Sequence, residues 1–337
     1  MINTIGLASG ALASFSLVLL TILVARRVLV ARAERLRLEA EERMRPLALT
    51  LVEGEPADLP SLSPFDSRAL AGLMSRYARQ VSGAALARIA SYFEERGDVE
   101  RELARLHSRR HWQRASAAYA LGGMASARAV PALVDALSDG DREVASAAAR
   151  SLGRLGAAEA VEPLVQALVE AHLPRAVCAQ ALLAIGSRAA PRLRARLADT
   201  PPGVAVFAVD LIGLLGDASD SPQLIGLLHD ASAEVRASAA RALGRLGAKE
   251  AAAELRRALD DRIDFVRVNA AHAVGAIGDR HAGPALATLA RTDSFDPAQA
   301  AAAALARVDP GLLEEAGGWL GAEMHLAQAA DLAAIRS

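Results

Sequence analysis

The chain has 337 residues, of which 53% are hydrophobic and only 3% are aromatic. Its 38 basic and 39 acidic side chains give a net charge of −1, which argues against a chain that binds nucleic acid along its whole length and against a disordered chain. A single cysteine, Cys178, excludes a disulfide framework and any metal site built from several cysteines.

The N-terminal segment is the most apolar part of the chain. Residues 1–25 contain no charged side chain, and a helix of that length, rising ~1.5 Å per residue, can cross a ~30 Å hydrocarbon core. Seven arginines and four glutamates follow within residues 26–45. Because this basic cluster follows the apolar run, the positive-inside rule predicts an N-terminus outside and the remaining chain in the cytoplasm. The sequence therefore predicts a single-pass protein of a bacterial-type inner (plasma) membrane, anchored by residues 1–25.

Two other interpretations of this segment fit less well. A cleaved signal peptide could use Ala31-Arg32-Ala33 as its cleavage site, but the segment lacks the basic start and the short apolar core of such peptides. A buried core helix would have a shorter and less uniform apolar run.

The region after the anchor divides into three segments. Residues 26–45 are predicted to form a basic amphipathic helix that continues from the membrane until Pro46 ends it. Its arginines fit either topology determination or contact with anionic lipid headgroups, and the interleaved glutamates favour the first. The proline-rich residues 46–65 are predicted to be a linker, and residues 66–110 a helical N-terminal cap.

A repeat with a period near 31 residues dominates the rest of the chain. One reference position recurs at spacings of 31, 30, 30, 31, 31 and 31 residues, at Ala125, Gly156, Gly186, Gly216, Gly247, Gly278 and Asp309. Apolar residues one and four positions earlier, and small residues eight positions earlier, share one face of a helix. Leucines four residues apart mark a second helix in most units. A glycine three positions before the reference recurs in five units, which indicates close backbone contact or early helix termination.

Each unit is thus a pair of short helices that can bury its apolar faces only by stacking on its neighbours. The block 235–259, with its Val-Arg, Ala-Leu-Gly-x-Leu-Gly and Leu-x-x-x-Leu marks, closely resembles the HEAT-like repeats of the phycobilin-lyase class. The resemblance implies an all-α, HEAT-like α-solenoid of about seven helix pairs. We assign residues 111–310 to the repeats and residues 311–337 to a C-terminal helical cap. One unit is degenerate, with Leu183 in place of the recurring glycine.

Motifs that carry chemistry are missing from the sequence. It contains no phosphate-binding loop, no nucleophile elbow and no metal-ligand spacing among its histidines. HEAT-like repeats also form deoxyhypusine hydroxylase, whose iron ligands lie in His-Glu dipeptides, and this sequence has no such dipeptide. Cys178 falls in a column of small core residues. We therefore expect no catalytic, cofactor-binding or metal-binding residue, and no enzyme activity. The alternative function is a cofactor-handling protein or lyase of the phycobilin-lyase HEAT type.

The remaining candidate for function is a surface. The column six positions before the reference lies opposite the buried face and should line one broad side of the superhelix: Tyr119, Arg150, Gln180, Asp210, Arg241 and His272. Mixed charges with an aromatic side chain are typical of a protein-binding surface, whereas a phosphate-tracking groove would be uniformly basic. The alternative is that these surface positions vary without a role.

A second column contains arginines near the starts of the helices. These residues, Arg114, Arg175, Arg236 and Arg267, are expected to have a structural role by pairing with the preceding aspartates. The sequence as a whole predicts a membrane-anchored cytoplasmic scaffold or adaptor that binds a partner protein, which could itself be a membrane protein or enzyme. It predicts no binding of nucleic acid or metal.

Overall fold

The computed structural model describes residues 2–55, 62–197 and 201–316, with side chains from Leu20 onward except at 202 and 314–316. Within these ranges the chain is helical and has no β-strand, which confirms the all-α prediction. It divides into two compact units. Of the described residues, those within 1–103 and 123–127 form the first unit, and those within 104–122 and from 128 onward form the second.

The first unit is built on helices that wrap a small apolar core. In chain order these are α1 (Ile2–Glu53), α2 (Pro64–Tyr77), α3 (Ala84–Glu95) and α4 (Asp98–Arg105). Helix α1 packs against both α2 and α3. Leu70, Met74, Ile89 and Phe93 form the centre of this core and are almost completely buried.

Helix α1 does not end where the sequence predicts. It continues through Pro46 to Glu53, so the first part of the predicted linker 46–65 is helical. A proline inside a helix costs about 3 kcal/mol, because its ring removes a hydrogen bond and clashes with the preceding turn. Burial of Ala48 and Val52 offsets this cost, and Arg88 Nε donates a 2.8 Å hydrogen bond to the Val52 carbonyl oxygen. Tertiary packing therefore overrides the local signal. Residues 56–61 of the predicted linker lie outside the described residues.

Most of the predicted membrane anchor lies outside the residues whose side chains the structure describes. Residues 1–25 were predicted to span the membrane, and the side chains of residues 1–19 are outside the described set. Among the residues that the structure does describe, no helix has an apolar stretch long enough to cross a membrane. The described remainder of the segment continues α1, and Leu20, Leu23 and Val24 are more than half exposed.

The second unit is a stack of seven helix pairs within the described residues. The first helices of the pairs are α5 (His111–Leu121), α7 (Arg142–Leu155), α9 (Arg175–Ile185), α11 (Pro202–Leu215), α13 (Ala233–Leu246), α15 (Asp264–Ile277) and α17 (Phe295–Val308). The second helices are α6 (Val130–Asp135), α8 (Val161–Val169), α10 (Ala190–Arg196), α12 (Ser221–Leu227), α14 (Ala252–Ala258), α16 (Gly283–Thr292) and α18 (Pro310–Ala316). Most first helices pack side by side, and each second helix from α6 to α16 contacts the first helix of the following pair. The chain is thus an α-solenoid in this unit. Residues 317–337 of the predicted C-terminal cap lie outside the described residues.

The apolar columns face the interior, as the periodicity predicts. In α13, Val235, Ala239 and Leu243 are at most 2% exposed. Gly247 ends this helix in the left-handed conformation with φ of 65°, which L-residues with a side chain rarely adopt. The reference column therefore marks the end of the first helix.

The recurring glycine makes the close contact between neighbouring first helices. A Cβ atom on Gly153 would lie 2.9 Å from Ala181 Cα, and one on Gly213 would lie 2.7 Å from Ala242 Cα. Helices α7 and α11 continue past these glycines, so the glycines serve close approach and do not terminate the helices. Of the two expectations from the sequence, the structure supports close backbone contact.

The stack is interrupted between the third and fourth pairs. Here Leu183 of α9 replaces the glycine, and Leu211 of α11 replaces the small residue that would face it. Helices α9 and α11 contact each other far less than the other neighbouring first helices. Leu183 is 44% exposed, whereas Leu211 is buried. Two leucines cannot approach as closely as glycine and alanine, which accounts for the interruption.

Candidate protein-binding surface

The six predicted surface residues all lie on first helices of the second unit, facing away from the buried columns. Tyr119 is 60% exposed. Arg150, Gln180 and His272 are also exposed, and Asp210 and Arg241 are half-buried. The structure thus places the column on the outside of the stack, one residue per pair, from α5 to α15. We call this row the central row.

Asp210 and Arg241 are brought together across α11 and α13. Arg241 Nη2 lies 2.7 Å from Asp210 Oδ1, and its Nε lies 3.1 Å from the same oxygen. Ser238 Oγ donates to Asp210 Oδ1 at 3.1 Å, and Arg241 Nη1 donates to Asn269 Oδ1 on α15 at 3.3 Å. These contacts join three pairs in a polar network, so Asp210 does not present an unpaired negative charge on the surface.

Tyr119 is held by an arginine that the sequence analysis did not select. Arg154 of α7 places its guanidinium carbon 4.3 Å from the centre of the Tyr119 ring, in a cation–π contact. Arg154 Nη2 also donates to the Tyr119 carbonyl oxygen at 3.0 Å and to Ser151 Oγ at 2.8 Å. The tyrosine ring is exposed but fixed in position.

His272 is neutral at pH 7 because its surroundings disfavour the charged imidazolium. Partial desolvation, and then the positive charge of Arg307 on α17, lower the pKa of His272 below its ordinary value of 6.5. Among the described residues, Arg150 and Gln180 have no hydrogen bond or ion pair with another member of the row. Gln180 is uncharged, and the lowered pKa of His272 disfavours its charged form, so neither residue adds to the charge of the row.

A second row lies four residues further along the same helices. Arg154, Leu214, Arg245 and Arg307 occupy the position two before the reference, and all but the half-buried Arg154 are exposed. We call it the outer row. Sequence reasoning missed it, although the spacing of one helical turn in AARSLGRL (148–155) and AARALGRL (239–246) was available as a signal.

The arginines near the helix starts form a separate structural ladder. Arg236 makes two hydrogen bonds to Asp261, with Nε 2.7 Å from Oδ2 and Nη2 2.9 Å from Oδ1. Arg114 pairs with Asp139 and Arg267 with Asp293 in the same manner. Each of these aspartates follows its arginine by 25 or 26 residues and belongs to the turn before the next pair, so the two-bond ion pairs run forward along the chain. The preceding aspartates also take part: Arg236 and Arg267 donate to the carbonyl oxygens of Asp230 and Asp261, and Arg267 pairs with Asp264 as well.

The ladder shifts the protonation equilibria of its members. Hydrogen bonds from Arg236 hold the pKa of Asp261 below its usual range, and those from Arg267 do the same for Asp293. Only 9% of the Arg236 side chain is exposed. The ladder joins consecutive repeats and leaves no free guanidinium at Arg236 for a ligand. Arg175, the fourth arginine of the column, donates to the Gly203 carbonyl oxygen at 2.9 Å, beside an open cavity of about 420 Å³.

One group of described side chains could offer three donor atoms to a metal ion. His111, Asp141 and Glu143 place one donor each within 4.8 Å of one another, and His111 Nδ1 lies 3.3 Å from Asp141 Oδ2. Residues about 30 positions apart meet here, which sequence spacing could not indicate. Asp141 Oδ1 already accepts hydrogen bonds from the Glu143 and Val144 amides at the start of α7. Helix capping and the contact between His111 and Asp141 account for this arrangement.

Cys178 has the environment of a core residue. The side chain is fully buried, and burial raises the pKa of its thiol to about 12. The thiolate is the nucleophilic form of cysteine, and at neutral pH almost none is present at such a pKa. Cys178 therefore packs in the interior, as its place in the small-residue column predicts.

Comparisons with known proteins identify the repeats. The family model described as HEAT repeats matches residues 100–183, 189–264 and 221–306. Human deoxyhypusine hydroxylase in complex with glycerol is 23% identical over 81% of this chain and 98% of its own, with a TM-score of 0.32. The complex of CpcE and CpcF of phycocyanin lyase from Nostoc sp. PCC7120 is 25% identical over 70% of this chain and 94% of that chain, with a TM-score of 0.29. No curated protein matches the sequence.

Proposed function

Because the chain belongs to the HEAT repeat family, we propose that its second unit is a scaffold that binds a partner protein and that residues 1–25 hold it at a membrane. The repeats face the cytoplasm in this proposal, and the N-terminus lies outside. The partner is a protein at or near the same membrane. Restricting a scaffold to two dimensions raises its effective concentration toward other membrane proteins.

The observation that carries the proposal is the outer side of the first helices. Each pair adds one helix to this side, in one packed run from α5 to α9 and another from α11 to α17, so the surface extends over several repeats. Some of the side chains on it are already fixed: Arg241 joins Asp210 to Asn269, and Arg154 holds Tyr119. A preorganised polar surface loses little conformational entropy when a partner binds.

The membrane part of the proposal is supported by charge and exposure. Residues 1–25 have no charged side chain, and arginines begin at Arg26 and Arg27. Leu29 is 67% exposed, and the other side chains of α1 from Leu20 to Glu39 are exposed as well. Helix α1 is continuous over 52 residues, about 78 Å, and its C-terminal part packs in the core of the first unit. Such a helix would tie the first unit rigidly to an anchor.

The proposal assigns no catalysis to the chain. Most of the shifted pKa values among the described residues belong to ion pairs, helix caps or buried groups, as for Asp261 and Cys178. Shifts of this kind accompany structural roles as well as catalytic ones. The alternative, a cofactor-handling protein, can be distinguished by visible absorbance, because a bound tetrapyrrole would colour the purified protein.

Fractionation of cells that express the full chain tests the anchor and its orientation. We expect the chain to remain in the membrane pellet after an alkaline carbonate wash, and protease added to intact cells to leave the repeats uncut. Release by carbonate would contradict the anchor, and cleavage from outside would contradict the orientation. Visible absorbance of the detergent-purified chain would support the cofactor alternative instead.

A further inference from the structure

The central and outer rows differ in charge from the rest of the molecule. Between α7 and α17 they contain five arginines, namely Arg150, Arg154, Arg241, Arg245 and Arg307. Asp210 is the one acidic residue in these two rows, although acidic residues slightly outnumber basic ones in the whole chain. These two rows therefore carry a net positive charge, although the chain as a whole does not.

The acidic residues of the repeats do not neutralise this side. Asp139, Asp261 and Asp293 lie in the turns before first helices and pair with the ladder arginines. Asp210 pairs with Arg241. Among the described residues, no ion pair within 4.0 Å involves Arg150, Arg245 or Arg307, and all three are exposed. These three guanidinium groups are available to carboxylates of another molecule.

Four of the five arginines form two groups with apolar residues between them, and Arg307 lies further along the stack, on α17. Arg150 and Arg154 lie one helical turn apart on α7, and Arg241 and Arg245 repeat this spacing on α13. Between the two helices lies the interruption of the stack, where Leu183 and Leu214 are 44% and 57% exposed. With ~8–10 Å for each packed step and a wider step at the interruption, the groups are on the order of 30 Å or more apart, which takes at least about nine residues of extended chain to span.

We propose that the arginine surface, defined as Arg150, Arg154, Leu183, Leu214, Arg241, Arg245 and Arg307, binds an acidic segment of the partner protein. This inference rests on the proposed scaffold function and specifies which side chains the partner presents, namely carboxylates and apolar groups. Carboxylates at the two ends of the segment meet the two arginine groups, and apolar side chains in its middle cover Leu183 and Leu214. Arginine suits this task because its planar guanidinium binds a carboxylate with two parallel hydrogen bonds.

A nucleic acid is a poorer fit to the same surface. A phosphate backbone carries a charge at each nucleotide and needs a continuous basic track. Here Leu183 and Leu214 divide the arginines, and Gln180 and the neutral His272 add no charge. Arg154 already occupies one face of the Tyr119 ring in the neighbouring part of the central row, which leaves at most the other face for base stacking.

Fluorescence anisotropy with a defined probe tests this proposal on the full chain in neutral detergent. The probe is a fluorescein-labelled peptide with four leucines flanked on both sides by glutamates. A peptide with lysines in place of the glutamates and a single-stranded DNA of similar length serve as competitors. The variant Arg150→Glu/Arg245→Glu reverses one exposed arginine in each group. The control Arg192→Glu/Arg280→Glu changes the net charge equally at exposed positions associated with second helices.

We expect the acidic peptide to bind the wild-type chain and the control within about twofold of each other, and the surface variant at least about tenfold more weakly. Circular dichroism melting of all three proteins shows whether the variants are folded. Equal losses in surface variant and control, no binding of the peptide by wild type, or preferential binding of the DNA would each overturn the proposal. A separate experiment tests the scaffold function itself: if the wild-type chain retains no partner protein in co-purification, the scaffold proposal is contradicted whatever the peptide result.

Discussion

Gly244 of α13 lies against Ala273 of α15 so closely that a Cβ atom on the glycine would stand 2.8 Å from Ala273 Cα. Real side chains do not tolerate such a distance to backbone, so the contact requires glycine. The same relation joins Gly275 to Ala304 in the next two first helices. Glycine and alanine at these positions therefore set how closely neighbouring first helices pack.

Substitution at Gly244 tests this account of stacking. We expect Gly244→Ala to lower the free energy of unfolding by about 1–3 kcal/mol, because helix α13 or α15 must shift to accept the methyl group. Gly226→Ala in α12 is the matched control, since its Cβ would meet no atom within 4 Å. The control should gain up to about 1 kcal/mol from higher helix propensity. Urea unfolding measures both changes, and equal effects at the two sites would contradict the account.

The ladder predicts a large difference between buried and exposed arginines. Arg236→Met leaves Asp261 charged without its partner, and we expect a loss of about 3 kcal/mol in the free energy of unfolding. Arg257→Met removes a guanidinium that is 71% exposed and should cost less than about 1 kcal/mol. A double-mutant cycle with Asp261→Asn isolates the coupling in the ladder. Additive effects of Arg236→Met and Asp261→Asn would show that the pair contributes nothing.

The ladder also predicts how stability depends on acid. The pKa of Asp261 is lower in the folded chain than its ordinary value of 3.8, because Arg236 donates hydrogen bonds to the carboxylate. The folded state therefore gains stability above that ordinary value and loses it as the pH falls through the lower folded pKa. We expect the free energy of unfolding to fall less steeply below about pH 3.8 in Arg236→Met than in wild type. Parallel profiles would contradict this assignment.

Cys178 provides a probe of local opening. Because burial raises its thiol pKa to about 12, we expect almost no reaction with a thiol reagent at pH 8 in the folded chain. Unfolding in urea should expose the thiol and allow complete reaction. Rapid stoichiometric labelling without denaturant would place Cys178 on the surface and contradict the assigned core of α9.

The continuation of α1 past Pro46 predicts where a shortened chain remains stable. Glu41 pairs with Arg76 at 2.9 Å, and Ala40 is fully buried in the first unit. A chain that begins at Arg32 keeps both contacts, whereas one that begins at Pro46 loses them. We expect the longer fragment to melt several degrees higher in a thermal scan. Equal melting temperatures of the two fragments would show that residues 32–45 of α1 contribute no stability.

Much of the fold could be predicted because its causes are local and repeated. The period near 31 residues, the buried positions of Val235, Ala239 and Leu243, and the close approach at the recurring glycine all follow from side-chain size and helix geometry. The end predicted at Pro46 was wrong, since tertiary burial outweighed a local penalty.

The candidate surface could be predicted only as a row of positions. The pairing of Asp210 with Arg241, 31 residues away, depends on side-chain rotamers across two helices and leaves no trace in sequence spacing. Arg154 and Arg245 follow Arg150 and Arg241 by four residues, so the sequence indicates that they share a helix face, but they lie outside the column six positions before the reference. The direction of the ladder does not follow from spacing, because the arginine contacts both neighbouring turns: Arg236 pairs with the Asp261 carboxylate and donates to the Asp230 carbonyl oxygen.

Quantitative co-purification from detergent-solubilised membranes tests the scaffold claim most directly. The full chain, the surface variant Arg150→Glu/Arg245→Glu and the control Arg192→Glu/Arg280→Glu are purified in parallel, and retained proteins are quantified by mass spectrometry. We predict a protein retained in stoichiometric amount by the wild type and the control and lost from the surface variant. Retention of the same proteins by all three chains, or of none by the wild type, would contradict a scaffold that binds through this surface.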